Sequence, residues 1–271
     1  MNQTQPPTPG LALVTGASSG IGRELAAEFA LRDWDLMICA EDAGIDRAAE
    51  SLAALGGGTV RALREDLRSY DGVERLWAAA CEDGRVPTVA VLNAGVGQGG
   101  PFVENDLRDE LDIIALNCTS TVHLAKLVLT GMTQRGVGKV LVTSSIAATM
   151  PGSFQAVYSA SKSFVQSFAL AVRNELKGTG VTVTCLMPGP TDTDFFERAD
   201  MLDTPVGKGR KDDAAEVARQ GYEALMDGKE RVVAGSLKPK AQAAAASVLP
   251  DSVKARLHRR MAEPESNDDD G

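Results

Sequence analysis

Short apolar runs alternate along the chain with longer stretches whose apolar residues recur at three- and four-residue spacing. The short runs, at 11–15, 35–40, 59–64, 88–92, 139–144, 181–187 and 231–234, read as strands, most of them too apolar to leave a face in water. Helical periodicity fills 22–32, 46–55, 71–83, 106–133, 158–177 and 213–227. Strict alternation of strand and helix predicts an α/β fold, a Rossmann-like doubly wound parallel seven-stranded sheet with helices on both faces. Two segments break the alternation. Residues 190–212 form a long polar loop interrupted by Phe195, Phe196, Met201 and Leu202, which reads either as a lid over a substrate or as ordinary surface. Residues 236–262 read as two short helices broken near Pro250. A single catalytic domain is expected over 11–262, with 1–10 and the acidic end 263–271 disordered.

Composition narrows the partners. A net charge of −9 over 271 residues, with no Lys/Arg-rich stripe interleaved with aromatics, argues against nucleic acid. The opening MNQTQPPTPG has no basic and apolar signal regions, and no run of about 18 apolar residues is present, so a cytoplasmic protein without a membrane partner is expected. Cys39, Cys81, Cys118 and Cys185 are scattered without metal-ligand spacing, and no metal site is expected. His123 reads as a core or interface residue and His258 as part of a charged tail.

The candidate chemistry lies in VLVTSSIAATMPGSFQAVYSASKSFV. Tyr158 and Lys162 are four apart, one helical turn, which brings an ammonium beside a phenol and predicts that Lys162 lowers the Tyr158 pKa. Ser145 ends a strand, where an α/β sheet presents its reactive groups, and its hydroxyl can polarise a carbonyl. Near the N-terminus a strand runs into GASSGIG and then a helix. Gly16, Gly20 and Gly22 there permit tight turns and close approach of backbone N–H groups to a pyrophosphate, with the helix N-terminus behind them. The spacing G-x-x-x-G-x-G is not the common G-x-G-x-x-G.

Together with Asp66-Leu67, the NAG at 93–95, Asn117, YSASK at 158–162 and PGPTDT at 188–193, these motifs resemble the short-chain dehydrogenase/reductase family in its compact single-domain form. The resemblance spans most of the chain and implies an NAD(P)-dependent oxidoreductase acting on a ketone or secondary alcohol. It implies a catalytic set of Asn117, Ser145, Tyr158 and Lys162, with Tyr158 as acid/base, Lys162 also holding the nicotinamide ribose, Asn117 helping to retain a relay water, and Ser145 orienting the substrate oxygen. The family's spacing of thirteen residues before the tyrosine selects Ser145 over Ser144. For the cofactor it implies Gly16, Ser18, Ser19, Gly20, Ile21, Gly22, Glu41, Asp66, Leu67, Asn93, Ala94, Gly95, Pro188, Gly189, Thr191 and Thr193 beside Tyr158 and Lys162, with Asn93 bracing the sheet.

The resemblance implies that the end of the second strand meets the adenosine ribose, where the carboxylates Glu41 and Asp42 would accept from a 2′-OH and repel a 2′-phosphate, so NAD is expected over NADP, with Arg23 and Arg47 as the nearby cations. Met150, Phe154, Gln155, Met187, Phe195 and Phe196 make a largely apolar candidate substrate pocket. The long helical stretches at 106–133 and 158–177 resemble those that pair subunits in the family, so a homotetramer or homodimer is expected. The alternative to an enzyme is a noncatalytic dinucleotide sensor on the same fold, which has no need for all four catalytic groups.

Overall fold

In the computed structural model, which describes residues 10–236 and 249–264, seven strands form one parallel sheet in the order β3-β2-β1-β4-β5-β6-β7. The strands are β1 (Leu11–Thr15), β2 (Asp35–Ala40), β3 (Val60–Arg64), β4 (Val89–Leu92), β5 (Gly138–Thr143), β6 (Val181–Pro188) and β7 (Arg231–Ala234). Central β1 pairs on both sides, Val14 lying opposite Ile38 of β2 and Val91 of β4. Strand order reverses at β1/β4, so the connections leave in opposite directions and open a crevice beyond the strands' C-terminal ends.

Period-two alternation divides the apolar residues between two cores. Leu13, Met37, Ala90, Val140 and Val183 face helices α3 (Tyr70–Ala80), α5 (Ser120–Arg135) and α6 (Ala156–Glu175), meeting Leu76, Val128, Met132 and Val165. Val14, Ile38, Val91, Leu141 and Leu186 face α1 (Gly20–Ala30), α2 (Gly44–Ala53) and α9 (Ala214–Met226), meeting Leu25, Phe29, Leu52 and Leu225. Side-chain oxygens start several helices. Ser69 accepts from Gly72 N at 3.0 Å, and Asp213 from Ala215 N at 2.7 Å. Cys39 and Cys185 are buried free thiols, and burial pushes them up to about 12 and about 11. His123 ties α5 to α3, with Nε2 2.7 Å from Glu74 Oε1 and its ring stacked on Tyr70.

The stretch expected as one helix over 106–133 is three pieces. Helix α4 (Leu107–Ile113) passes into a π-helical turn, Ile114–Thr119, before α5 begins. That turn holds Asn117, whose side chain bonds the backbone of Val96 instead of facing outward. Leu107–Arg135 is long and apolar enough to cross a membrane by length and composition, but Leu124, Val128 and Met132 pack into the sheet core.

Residues 190–212 are not an open loop. Backbone bonds Asp192 N to Asp212 O and Asp212 N to Pro190 O, both 2.8 Å, pin the segment's ends together. Between them lie α7 (Phe195–Arg198) and α8 (Pro205–Lys208). Phe196, Ala199 and Met201 form a third cluster with Ala262 of α10 (Asp251–Ala262). The first expected tail helix and the expected disordered ends at 1–9 and 265–271 lie outside the described residues.

Phe29 joins the elements behind the crevice, with its ring fully buried and edge-on to Trp34 at 5.4 Å and Tyr222 at 4.9 Å. Phe29→Ala should cost about 3–5 kcal/mol. Urea unfolding should show this as a lower midpoint at unchanged slope, and a loss below about 1 kcal/mol would show that the site collapses around the missing ring.

Candidate active site

The crevice begins where β1 hands over to α1. Gly16 and Gly20 have φ of 66° and 55°, a region L side chains resist. A Cβ on Gly22 would lie 2.1 Å from Gly16 O and 2.4 Å from Asn93 Nδ2, so the turn closes only around a bare backbone. Behind it α1 presents the N–H groups that its first turn leaves without intrahelical partners. Asn93 holds three strand ends together. Its Nδ2 donates to Thr15 O at 3.2 Å, its backbone N–H donates to Thr15 Oγ1 at 3.0 Å, and its Oδ1 accepts from Thr143 Oγ1 at 3.1 Å. An elongated anion with a sugar at each end fits this cradle, and a bulkier wall would exclude it.

A cavity of about 280 Å³ runs along these strand ends. It is lined in turn by Gly16, Ser18, Ser19, Gly20, Ile21 and Gly22, by Glu41, Asp66 and Leu67, by Asn93, Ala94 and Gly95, and by Pro188, Gly189, Thr191 and Thr193, with Ser145, Tyr158 and Lys162 farther along. At its outer end Asp42 accepts from Ser18 Oγ at 2.6 Å and from Gly44 N at 2.8 Å, and these bonds hold its carboxyl below the usual range against the cost of burial. The cation bound here is neither Arg23 nor Arg47. Arg68 bonds Glu41 Oε2 at 2.7 Å, Asp66 Oδ1 at 2.9 Å and Asp112 Oδ2 at 2.8 Å, drawing carboxylates from three elements around one guanidinium.

Helix α6 presents Tyr158 and Lys162 one turn apart. Lys162 is 5% exposed, and its Nζ donates to Thr143 O at 3.1 Å. A Cβ on Gly95 would lie 3.1 Å from that Nζ and 3.0 Å from Asn117 Oδ1, so glycine makes the room. The expected lowering of the Tyr158 pKa by Lys162 is reversed. Burial pushes the phenol up to about 12, with the Ser145 hydroxyl bond pulling the other way, and Nζ stands 5.8 Å from the ring centroid and donates instead to the Thr143 carbonyl. Burial also brings Lys162 down to about 8. Ser144 donates to Lys162 O at 2.8 Å and is spent on the backbone, whereas Ser145 lies beside the phenol and accepts from Ala147 N at 3.1 Å. Asn117 does not line the cavity. It lies 1% exposed behind the wall, its Nδ2 donating to Val96 O and Ser161 Oγ, each at 2.9 Å.

Beyond Tyr158 the wall turns apolar. Met150, Gln155, Phe195 and Phe196 line it, and the Phe195 ring lies 5.2 Å from that of Tyr158. Met187 and Phe154 do not. Met187 is 1% exposed in the sheet core, because the pleat of β6 points it away from the crevice. Phe154 has φ of 64°, and its half-buried ring packs against the cluster of Phe196, Ala199, Met201 and Ala262 behind the wall, with the Arg259 guanidinium 5.3 Å from its centroid. Two contributions escape a linear reading. Arg198 of α7 reaches back across 179 residues to donate to Ser19 Oγ at 3.3 Å, and α10 brings His258, Met261 and Ala262 to the same cavity. His258 is not part of an exposed tail but 5% exposed.

The profile of the short chain dehydrogenase family matches residues 10–201. The chain belongs to that family. This dehydrogenase is 32% identical to serine 3-dehydrogenase of Agrobacterium fabrum over 191 residues, 69% of this chain and 74% of that protein. Several other curated relatives, among them very-long-chain 3-oxoacyl-CoA reductases, are longer, and the chain spans about half of their length or less. Among solved structures it resembles a short-chain dehydrogenase from Sphingobium yanoikuyae in complex with NADPH, at TM-score 0.79 and 27% identity over 96% of this chain and 99% of that one. It shares its fold with one from Burkholderia phymatum in complex with NAD, at TM-score 0.78 and 22% identity over 97% of this chain and 100% of that one. The dehydrogenase is thus an oxidoreductase of a family built around a nicotinamide dinucleotide.

The buried ammonium gives a pH signature. Unfolded Lys162 keeps its proton up to its ordinary value of 10.5, whereas the folded, cofactor-free protein releases it near 8, so between these values unfolding takes up a proton and rising pH favours the native state. Relative to Lys162→Met, the parent should gain thermal stability between pH 8 and 10.5 and show no relative change from pH 6 to 7. A flat difference in Tm across the whole range would mean that the charge is solvated.

Proposed function

We propose that this dehydrogenase reduces an apolar ketone to a secondary alcohol, or runs the reverse, with NAD(H) favoured over NADP(H) and Tyr158 as the general acid/base. The observation that carries this reading is the pair of hydroxyls, Ser145 and Tyr158, side by side on the cavity of the glycine cradle with the Lys162 ammonium buried beneath. When bound, a reduced nicotinamide supplies a hydride to the carbonyl carbon. The residues handle the proton. A phenol held near 12 stays protonated at neutral pH and serves as a donor to a carbonyl oxygen that also accepts from Ser145. As the carbinol O–H forms, the Tyr158 O–H breaks, and the Lys162 charge within the same low-dielectric site stabilises the phenolate that remains. Asn117 acts at one remove by fixing the Val96 backbone and the π-helical turn, and its contact with Ser161, which itself donates to Tyr158 O at 2.7 Å, steadies the first turn of α6.

Cofactor choice follows from the charge at the end of β2. Arg68 is already surrounded by Glu41, Asp66 and Asp112, and Asp42 adds another carboxylate, so a 2′-phosphate meets net negative charge whereas a ribose hydroxyl finds acceptors. Met150, Phe195, Phe196 and Val206 support an apolar substrate. Leu107, Leu111 and Ile114 leave an exposed apolar stripe on α4 and the turn after it, and Phe164 exposes another large side chain on neighbouring α6. That face supports self-association into a dimer or tetramer, read by light scattering at micromolar concentration. We place the protein in the cytoplasm.

Nicotinamide absorbance with purified protein and a panel of aryl and alicyclic ketones tests the reading. The parent should show a higher kcat/KM with NADH than with NADPH. Tyr158→Phe should lower turnover by a factor of about 10²–10⁴ and leave dinucleotide affinity within about two-fold. Near-parental turnover in Tyr158→Phe would remove the tyrosine from the chemistry, and an NADPH preference in the parent would overturn the cofactor choice.

A further inference from the structure

We infer that His258 sets substrate specificity by accepting a hydrogen bond from a neutral hydroxyl that the substrate carries away from its reacting carbon. The inference rests on the reading of the cavity as a ketone reductase site. It begins with how α10 is attached. Ser153 Oγ donates to Ala255 O at 3.2 Å, Arg259 stacks on Phe154, and His258 Nδ1 lies 2.9 Å from Ser153 O. These contacts seat the helix on the loop that leads into Tyr158, and they place His258 in the cavity wall beside Met261 and Ala262.

The tautomer follows from the partner. A carbonyl oxygen only accepts, so Nδ1 must carry the hydrogen. Burial of the ring holds its pKa below the ordinary 6.5, so the imidazole is neutral near pH 7 and Nε2 keeps its lone pair. Nε2 has no hydrogen-bond partner among the described residues. Gln155, 7% exposed in the same wall, is biased the same way. Its Nε2 donates to Met201 Sδ at 2.9 Å, which leaves Oε1 as the acceptor.

The substrate end of the cavity therefore pairs apolar side chains with acceptors. A distal carboxylate or phosphate finds lone pairs there and is repelled. A distal ammonium would be desolvated against Phe196, Val206 and Met261, and the nearby Asp194 is already paired with Arg198. A neutral hydroxyl satisfies the lone pair at little desolvation cost, and a substrate lacking one leaves Nε2 buried and unpaired.

The test compares aryl ketones bearing a phenolic hydroxyl at each ring position with their methyl isosteres. Calorimetric titration into the 271-residue protein saturated with NAD⁺ reads affinity without turnover, and NADH oxidation is followed separately. The parent should bind one hydroxyl isomer about five-fold or more tighter than its methyl isostere, the ratio expected of one neutral hydrogen bond. In His258→Asn the amide nitrogen takes the Nδ1 position and keeps a donor for Ser153 O, but nothing reaches the Nε2 position, so that preference should vanish while methyl isosteres bind within about two-fold of the parent. His258→Gln carries an amide to the Nε2 position and should retain the preference. Absence of any hydroxyl preference in the parent, or its persistence in His258→Asn, overturns the inference, and the parent measurement stands even if a variant does not fold. The predicted binding pattern without NADH oxidation would defeat the reductase reading and leave the His258 contact standing. Turnover with an unchanged preference in His258→Asn would do the reverse.

Discussion

The site depends on keeping the ammonium of Lys162 in a place where water is scarce. A buried cation is costly unless something holds it, and here one carbonyl, Thr143 O, accepts a hydrogen bond from it while Gly95 leaves the space. Everything around that ammonium is arranged to make the position tolerable. Ser144 is tied to the lysine's own carbonyl, Asn117 to the backbone of Val96, and the π-helical turn delivers Asn117 to that backbone. The cost appears as a lysine held near 8 and a phenol held near 12, two groups that share one dry site and are both pushed toward neutrality. At neutral pH the lysine is still charged and the phenol still holds its proton, the lysine nearer to releasing its own and the phenol holding on more firmly than either would without burial.

The cradle obeys a related logic with backbone in place of charge. Its close approaches, Gly22 against Gly16 O and Gly16 against Ala94, leave no room for side chains, and Asn93 replaces the lost packing with bonds to Thr15 and Thr143. The strand ends are therefore stitched by polar contacts exactly where the hydrophobic cores of the two faces run out. Rigidity at this point keeps the dinucleotide cradle and the Tyr158 helix in fixed relation, since both lean on β5.

Much of this was legible along the chain, for reasons that differ by residue. Strands buried on both faces announce themselves as apolar runs, and the glycine turn and the Tyr158–Lys162 spacing are local patterns that survive without a structure. The π-helical turn was not legible, because one extra residue in a turn barely disturbs an apolar period over two dozen positions. Met187 depends on the sense of a pleat, and Phe154 on a backbone angle that phenylalanine rarely adopts. Arg198, Arg68 and His258 take their meaning from Ser19, Glu41 and Ser153, partners 27 or more residues away, which no local window contains. Burial of Tyr158 likewise reversed the direction that spacing alone gave for its pKa.

The small cluster of Phe196, Ala199 and Met201 with Ala262 has a consequence for the order in which the protein becomes competent. A ribosome releases the chain from its N-terminus, so the sheet, the glycine cradle and the Tyr158 helix have all emerged before residues 251–262 leave the exit tunnel. Helix α10, made after all of these, is the one that closes the far end of the cavity. Until it docks, Phe196 and Met201 have no cover from that side and the wall of the cavity is unfinished. The growing chain thus completes its glycine cradle before it completes the far wall of its cavity.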